Sequence, residues 1–209
     1  MHNCTANATT AAMSFLGQAI YDEYAQALLR VPGATFDDAK TGEEAAIAFY
    51  HACTDQTGTT STEWPPTDCG SSGPYIVEEL LRMELISSQR IAHGSQDLLS
   101  LLQTGPVLMG SPFFSAWEEP SASGFVDGDG SAASLEAAID SGVAGGHETL
   151  ICAIEALTVS ATGVVEPQAT VLRVRNSWGA SWGDHGDFRI HLSTLAALGS
   201  YCDFRQLVA

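Results

Sequence analysis

The sequence predicts an α+β fold in one domain: a mainly helical lobe over residues 1–104, a mainly antiparallel β lobe over 105–209, and a cleft between the lobes. Three observations predict it. Apolar residues recur at helical spacing through the first half, and beyond residue 105 they run in short blocks or alternate. Helices first and strands second is the order of an α+β layout rather than of alternating βαβ units. A length of 209 residues suits one domain with a sizeable core, or two small lobes around a cleft.

The first helix is expected over 5–30, with Ala8, Ala11, Ala12, Phe15, Leu16 and Ala19 on one stripe and an end near Val31-Pro32-Gly33. Thr41-Gly42-Glu43-Glu44 reads as a capping box opening a second helix that runs to about Ala52. A loop rich in Thr, Gly, Pro and Asp covers 54–72 and includes Trp64-Pro65-Pro66. Pro74, well placed in a first turn, starts a third helix ending near Leu85, and a fourth spans 96–103. Gly105-Pro106-Val107-Leu108-Met109-Gly110 is a strand, and further strands fall at 147–157, 170–176 and 186–192. Ser160-Ala161-Thr162-Gly163 marks a hairpin extension between two of them.

Composition removes several function classes. A net charge of −17, with Lys40 the single lysine against 25 acids, argues against nucleic acid or an anionic membrane as partner. The acid excess reads as a solvated surface. Mean hydropathy of +0.07 and the absence of an 18-residue apolar run fit a soluble globular chain, and no signal peptide is visible. Cys4, Cys53, Cys69, Cys152 and Cys202 are scattered without a CxxC pair, so neither a zinc site nor a disulfide framework is expected, and no metal or cofactor. The odd count leaves at least one free thiol, for which Cys4 is the candidate; the others read as small buried hydrophobes. Asn3-Cys4-Thr5 and Asn7-Ala8-Thr9 match the glycosylation pattern but fall where a helix should pack.

Three separated stretches carry chemistry. Asn176-Ser177-Trp178-Gly179-Ala180-Ser181-Trp182-Gly183 leaves the strand Thr170-Val171-Leu172-Arg173-Val174-Arg175, in which apolar residues are set against arginines. Its tryptophans and glycines form a turn that admits close backbone approach. Gly145-Gly146-His147-Glu148 opens an apolar strand, and Cys4 occupies the first turn of a helix, where the dipole favours a thiolate. The order Cys, His, Asn-Ser-Trp-Gly resembles the papain-like cysteine peptidases. His147 lies 143 residues after Cys4 and Asn176 a further 29, the latter gap lengthened by the hairpin extension. The resemblance takes in nearly the whole chain: the Asp68-Cys69-Gly70-Ser71-Ser72-Gly73 turn, the Gly-Pro-Val strand, the Trp-Gly-x-x-Gly-x-x-Arg-Ile run from Trp182 to Ile190, and Leu192-Ser193-Thr194-Leu195. Cys-Thr-Ala-Asn-Ala is reminiscent of its microbial and phage-encoded branches.

The resemblance implies a papain-like fold hydrolysing peptide bonds through an acyl-enzyme. Cys4 is then the nucleophile, His147 the general base and acid, and Asn176 the residue that holds the ring tautomer, with Trp178 covering that hydrogen bond from water. It also implies substrate contacts from Gly70, Ser71, Gly73, Gly146, Trp178 and Trp182. The partners it implies are a polypeptide substrate and, through the phage-encoded branch, virion or assembly components. The family's oxyanion glutamine, six residues before the nucleophile, would precede Met1, and the half-cystine that would pair with Cys69 falls at Met1. Either Met1 is an internal methionine of a longer gene product, or the fold serves as a binding or assembly component with a weak site.

Weaker motifs remain. Asp127-Gly128-Asp129-Gly130 hints at a calcium loop, but the glutamate position of an EF-hand is Ala138, so a flexible acidic loop is the reading, with shaping of the cleft rim before His147 as the alternative. His185 and His191 are expected at the surface. Glu148, pointing away from His147 across the strand, is expected to have no catalytic role. The pocket walls lie in loops 54–73 and 117–146, and substrate preference is not written in them.

Overall fold

The computed structural model describes residues 3–31, 42–55, 68 and 70–209. The helix end expected at Pro32-Gly33, Thr41 of the capping box, the Trp64-Pro65-Pro66 segment and Cys69 lie outside those residues. Among the described residues the fold is α+β, with seven α-helices and an antiparallel sheet. The chain divides into two compact units, one of residues up to Arg90 with Arg205–Ala209, the other Ile91–Phe204.

The first unit is mainly helical, with most of two short strands. It contains α1 (Cys4–Leu16), α2 (Gln18–Leu28), α3 (Gly42–Asp55) and α4 (Gly73–Arg82). The single helix expected over 5–30 is two, because Gly17 at φ +124° leaves helical space and starts α2 as its N-cap. The buried face of α1 also differs from the expected stripe. Thr5, Ala6, Ala8, Thr9, Ala12 and Met13 are buried, whereas Phe15 is 48% exposed. Thr9 is tolerated inside because its hydroxyl donates to the Thr5 carbonyl at 2.8 Å. Met13, Tyr24, Leu28, Phe49, Tyr50, Ile76 and Leu80 form the centre of this unit, with Tyr24 edge-on to Phe49 at 5.6 Å.

The second unit is built on a meander of β2 (Val107–Phe114), β3 (Val143–Ala156), β4 (Val171–Arg175) and β5 (Asp187–His191), each antiparallel to the next. Helices α5 (Ser95–Leu102), α6 (Ala132–Asp140) and α7 (Leu192–Leu198) accompany it. Val107, Met109, Phe113, Ile151, Leu172, Val174, Phe188 and Ile190 supply its core from alternate strand positions. On β4 the buried pair is Leu172 and Val174, so Val171 shares the outer face with Arg173 and Arg175 rather than opposing them. β2 and β3 outrun the expected strands, because Val143–Gly146 continues the ladder against Pro112–Phe114. The expected hairpin extension is present: Val159 bridges Val165, and the Ser160 N–H donates to the Val164 carbonyl at 2.8 Å. β1 (Ser88–Ile91) and β6 (Asp203–Val208), like α6 and α7, were not legible as elements; β1 and β6 are sheet neighbours.

The segment from Asp127 to Gly130 is solvated only in part: Gly128 and Asp129 are exposed, Asp127 and Gly130 buried. Asp127 is 2% exposed, and its carboxylate accepts from the His191 N–H at 2.8 Å and the Thr194 hydroxyl at 2.6 Å, tying it to the start of α7. Its other oxygen meets His191 Nδ1 at 3.0 Å, so His191 is buried rather than exposed, while His185 is exposed as expected. Gly130, at φ +68°, is required here: a Cβ would stand 2.4 Å from the His191 ring. Asp129 accepts hydrogen bonds from Ser131 and Ser134 at the start of α6, which hold its carboxyl down at about 2. Asp127→Ala strands the Thr194 hydroxyl and the His191 N–H, and is expected to lower the unfolding free energy by about 3 kcal/mol. Urea denaturation checks this; a loss under about 0.5 kcal/mol, the level of a neutral surface change, would refute the tie.

Candidate active site

The pairing of β3 with the end of β4 in the second unit places His147 and Asn176 together. His147 is on β3 opposite Ser111 of β2, and Asn176 is the first residue beyond β4. The pairing Leu150 to Arg175 sets the middle of β3 against the end of β4, so residues 29 apart in sequence become neighbours. His147 Nε2 lies 2.8 Å from Asn176 Oδ1. The same oxygen accepts from the Ser177 N–H at 2.8 Å. That second bond identifies the atom, since an amide NH2 group cannot accept from a backbone N–H. The imidazole nitrogen facing Oδ1 therefore carries hydrogen, and a neutral ring keeps its lone pair on Nδ1.

The surroundings hold this arrangement. Asn176 is 7% exposed, and its own N–H donates to the Gly186 carbonyl at 2.9 Å, closing the loop 176–186 at its base. Phe113 stands edge-on to the His147 ring at 5.0 Å, and Trp178 tilts across it at 5.3 Å. Trp178 remains 40% exposed. Trp182 packs edge-on against Trp178 at 5.1 Å and donates its indole N–H to the Glu118 carbonyl at 2.7 Å. Burial drives the His147 pKa below its ordinary 6.5, against the upward pull of the Asn176 bond. The ring is thus a neutral base at neutral pH. Gly146 presents an open edge beside it, where a Cβ would meet nothing within 4 Å. Alternation along β3 sends Glu148 to the opposite, buried side, where it faces Gly110.

The remaining predicted residues belong to the first unit. Cys4 is the first residue of α1, half-buried, with no acidic side chain in that turn to oppose a thiolate. Gly70 adopts φ +74° and donates its N–H to the Tyr50 hydroxyl at 2.9 Å, while that hydroxyl donates to Asp68 at 2.7 Å. Ser71 is half-buried, and Gly73 is the buried first residue of α4.

The other described thiols are poor nucleophiles. Burial and then the Glu79 carboxylate push Cys53 well up, burial and then Asp187 raise Cys152, and burial pushes Cys202 up to about 12. Among the described residues no cluster of three or more His, Cys, Asp or Glu is arranged to hold a metal ion, and no helix is long and apolar enough to cross a membrane.

Sequence reasoning missed two parts of this site. Phe113 was lost because the strand was ended at Gly110, before Pro112-Phe113-Phe114; the aromatic pair after the proline was the available signal. The Ser177 N–H carries no residue-type signal at all.

No protein-family model and no curated protein matches this sequence. Solved structures do. The bromelain protease of Ananas comosus in complex with the E64 inhibitor is 14% identical, covering 99% of this chain and 89% of its own, with a TM-score of 0.44. Xylellain, a cysteine protease from Xylella fastidiosa, is 16% identical over 99% of this chain and 79% of its own, with a TM-score of 0.46. At that distance no activity carries over by likeness alone.

Proposed function

We propose that this protein is a papain-like cysteine peptidase acting on polypeptide substrates, with Cys4 as nucleophile, His147 as general base and acid, and Asn176 as the residue that orients the imidazole. The observation that carries this reading is the 2.8 Å contact of His147 Nε2 with an Asn176 oxygen whose identity the Ser177 N–H fixes. A side-chain amide that dictates an imidazole tautomer, roofed by tryptophan, supports a base aimed through Nδ1.

In the reaction Nδ1 takes the Cys4 thiol proton, and the thiolate adds to the scissile carbonyl carbon, making the C–S bond. Collapse of the tetrahedral oxyanion breaks the C–N bond, and the imidazolium protonates the departing amine. Water, deprotonated at Nδ1, then adds to the thioester; the C–S bond breaks, releasing the carboxylic acid and returning the thiol. Gly70, Ser71, Gly73, Gly146, Trp178 and Trp182 would meet the substrate.

Acylation by a peptide p-nitrophenyl ester, quenched in acid and read by intact mass and peptide mapping, tests this. The expected result is one acyl group on Cys4, absent in Cys4→Ala. No adduct, or an adduct that persists elsewhere in Cys4→Ala, would refute it.

A further inference from the structure

Eight cationic side chains serve this whole chain, against 25 acids, yet three of the eight meet at the foot of the loop that carries Asn176. Arg173 and Arg175 lie two apart on β4 and so share its outer face; Arg189 is the register partner of Arg173 on β5, and Asp187 that of Arg175. The Asp187 side chain is 5% exposed and accepts from Arg173 Nε at 2.7 Å and from Arg175 Nε. Asp184, inside the loop, takes Arg173 Nη1 at 3.1 Å and Arg189 Nη2 at 3.0 Å, and Glu155 of β3 accepts from Arg189 Nε at 2.6 Å. Three cations and three anions thus balance.

The placement bears on the site. Asp187 follows Gly186, whose carbonyl receives the Asn176 N–H, and Arg175 precedes Asn176. Both ends of the loop are therefore held by one carboxylate shared between two strands. Backbone bonds join in: the Asp184 N–H donates to the Asp187 carbonyl at 2.8 Å, and Gly183 must lack a Cβ because one would sit 2.4 Å from that carbonyl oxygen. Such a cluster is more than a surface pair, since the Asp187 carboxylate is desolvated and bonded on both oxygens.

We propose that Asp187 is a positioning residue: by locking Arg173 and Arg175 across the base of the 176–186 loop, it fixes Asn176 where its oxygen imposes the Nε2–H tautomer on His147. The inference rests on the proposed roles of His147 and Asn176, but its test does not require turnover. Without the lock, Asn176 and Ser177 drift from the ring, and the imidazole divides between its two tautomers.

The experiment is side-chain 15N NMR of His147 in the full chain, comparing wild type with Asp187→Asn and with Asp184→Asn, each checked for folding by near-UV circular dichroism. Wild type is expected to show protonated Nε2 and unprotonated Nδ1. Folded Asp187→Asn is expected to show the two signals moved together, with Asp184→Asn in between and the ring's pH titration shifted in both. Should Asp187→Asn fail to fold, Asp184→Asn decides alone, since its side chain is about a third exposed and loses only the inner link. A single wild-type tautomer retained in the folded variants overturns the proposal. A tautomer change in a protein whose Cys4 never acylates would uphold the positioning role while the peptidase reading fails.

Discussion

His147→Ala is expected to lower kcat/KM for peptide hydrolysis by at least about 10⁴, and the double variant Cys4→Ala/His147→Ala to lose no more than either single change. Both expectations come from the way the groups act as a unit. Without Nδ1 nothing removes the thiol proton or returns it to the leaving amine, so a thiol left intact is as inert as one removed. KM is expected to stay within about threefold, because Nδ1 acts on the reacting atoms rather than on bound substrate. Steady-state kinetics on a fluorogenic peptide checks this. Additive losses in the double variant would mean that Cys4 and His147 work independently.

The acid limb of the kcat/KM profile is expected below the ordinary imidazole value of about 6.5. Burial is the larger influence on His147 and disfavours imidazolium, so the ring sheds its proton at lower pH than an exposed histidine; the Asn176 bond only partly offsets this. Since thiol and imidazole titrate together, the limb belongs to the pair. The same depression has a stability consequence. With the folded pKa below the unfolded one, the unfolded chain binds more protons in the window between them. The His147 contribution is complete above about pH 6.5 and is lost as pH falls through the lowered folded value. Asn176→Ala removes the upward pull and should move the limb to still lower pH. A limb at or above the free imidazole value in wild type would contradict the buried, neutral ring.

How much of this was legible in the chain follows from how local each cause is. Helices and strands were readable where one face repeats, as along α4 or at Leu172 and Val174. Cys4, His147 and Asn176 stood out because each sits beside punctuation, a helix start, a glycine pair and a strand end. The break at Gly17 was hidden, since a lone glycine in a helical pattern is usually tolerated. Asp127 and His191 looked like surface residues because nothing near either one names a partner 64 positions away. Asp187 was hidden for the same reason: it falls in the strand expected over 186–192, where only the β4–β5 register sets it against Arg175. Charged residues are called exposed by default, and buried ones are recognised only when their counterions are known.

The most direct measurement is the pH dependence of Cys4 alkylation by iodoacetamide, followed by peptide mapping, in wild type and His147→Ala. Cys53, Cys152 and Cys202, all with raised pKa values, stay protonated and slow in the neutral range. Wild-type Cys4 is expected to alkylate readily at neutral pH with Nδ1 accepting its proton, the rate rising as the ring loses its own proton below the ordinary imidazole value of about 6.5, and the midpoint is expected to move up to about 8.5 in His147→Ala. A Cys4 that titrates at about 8.5 and is indifferent to His147 would contradict this.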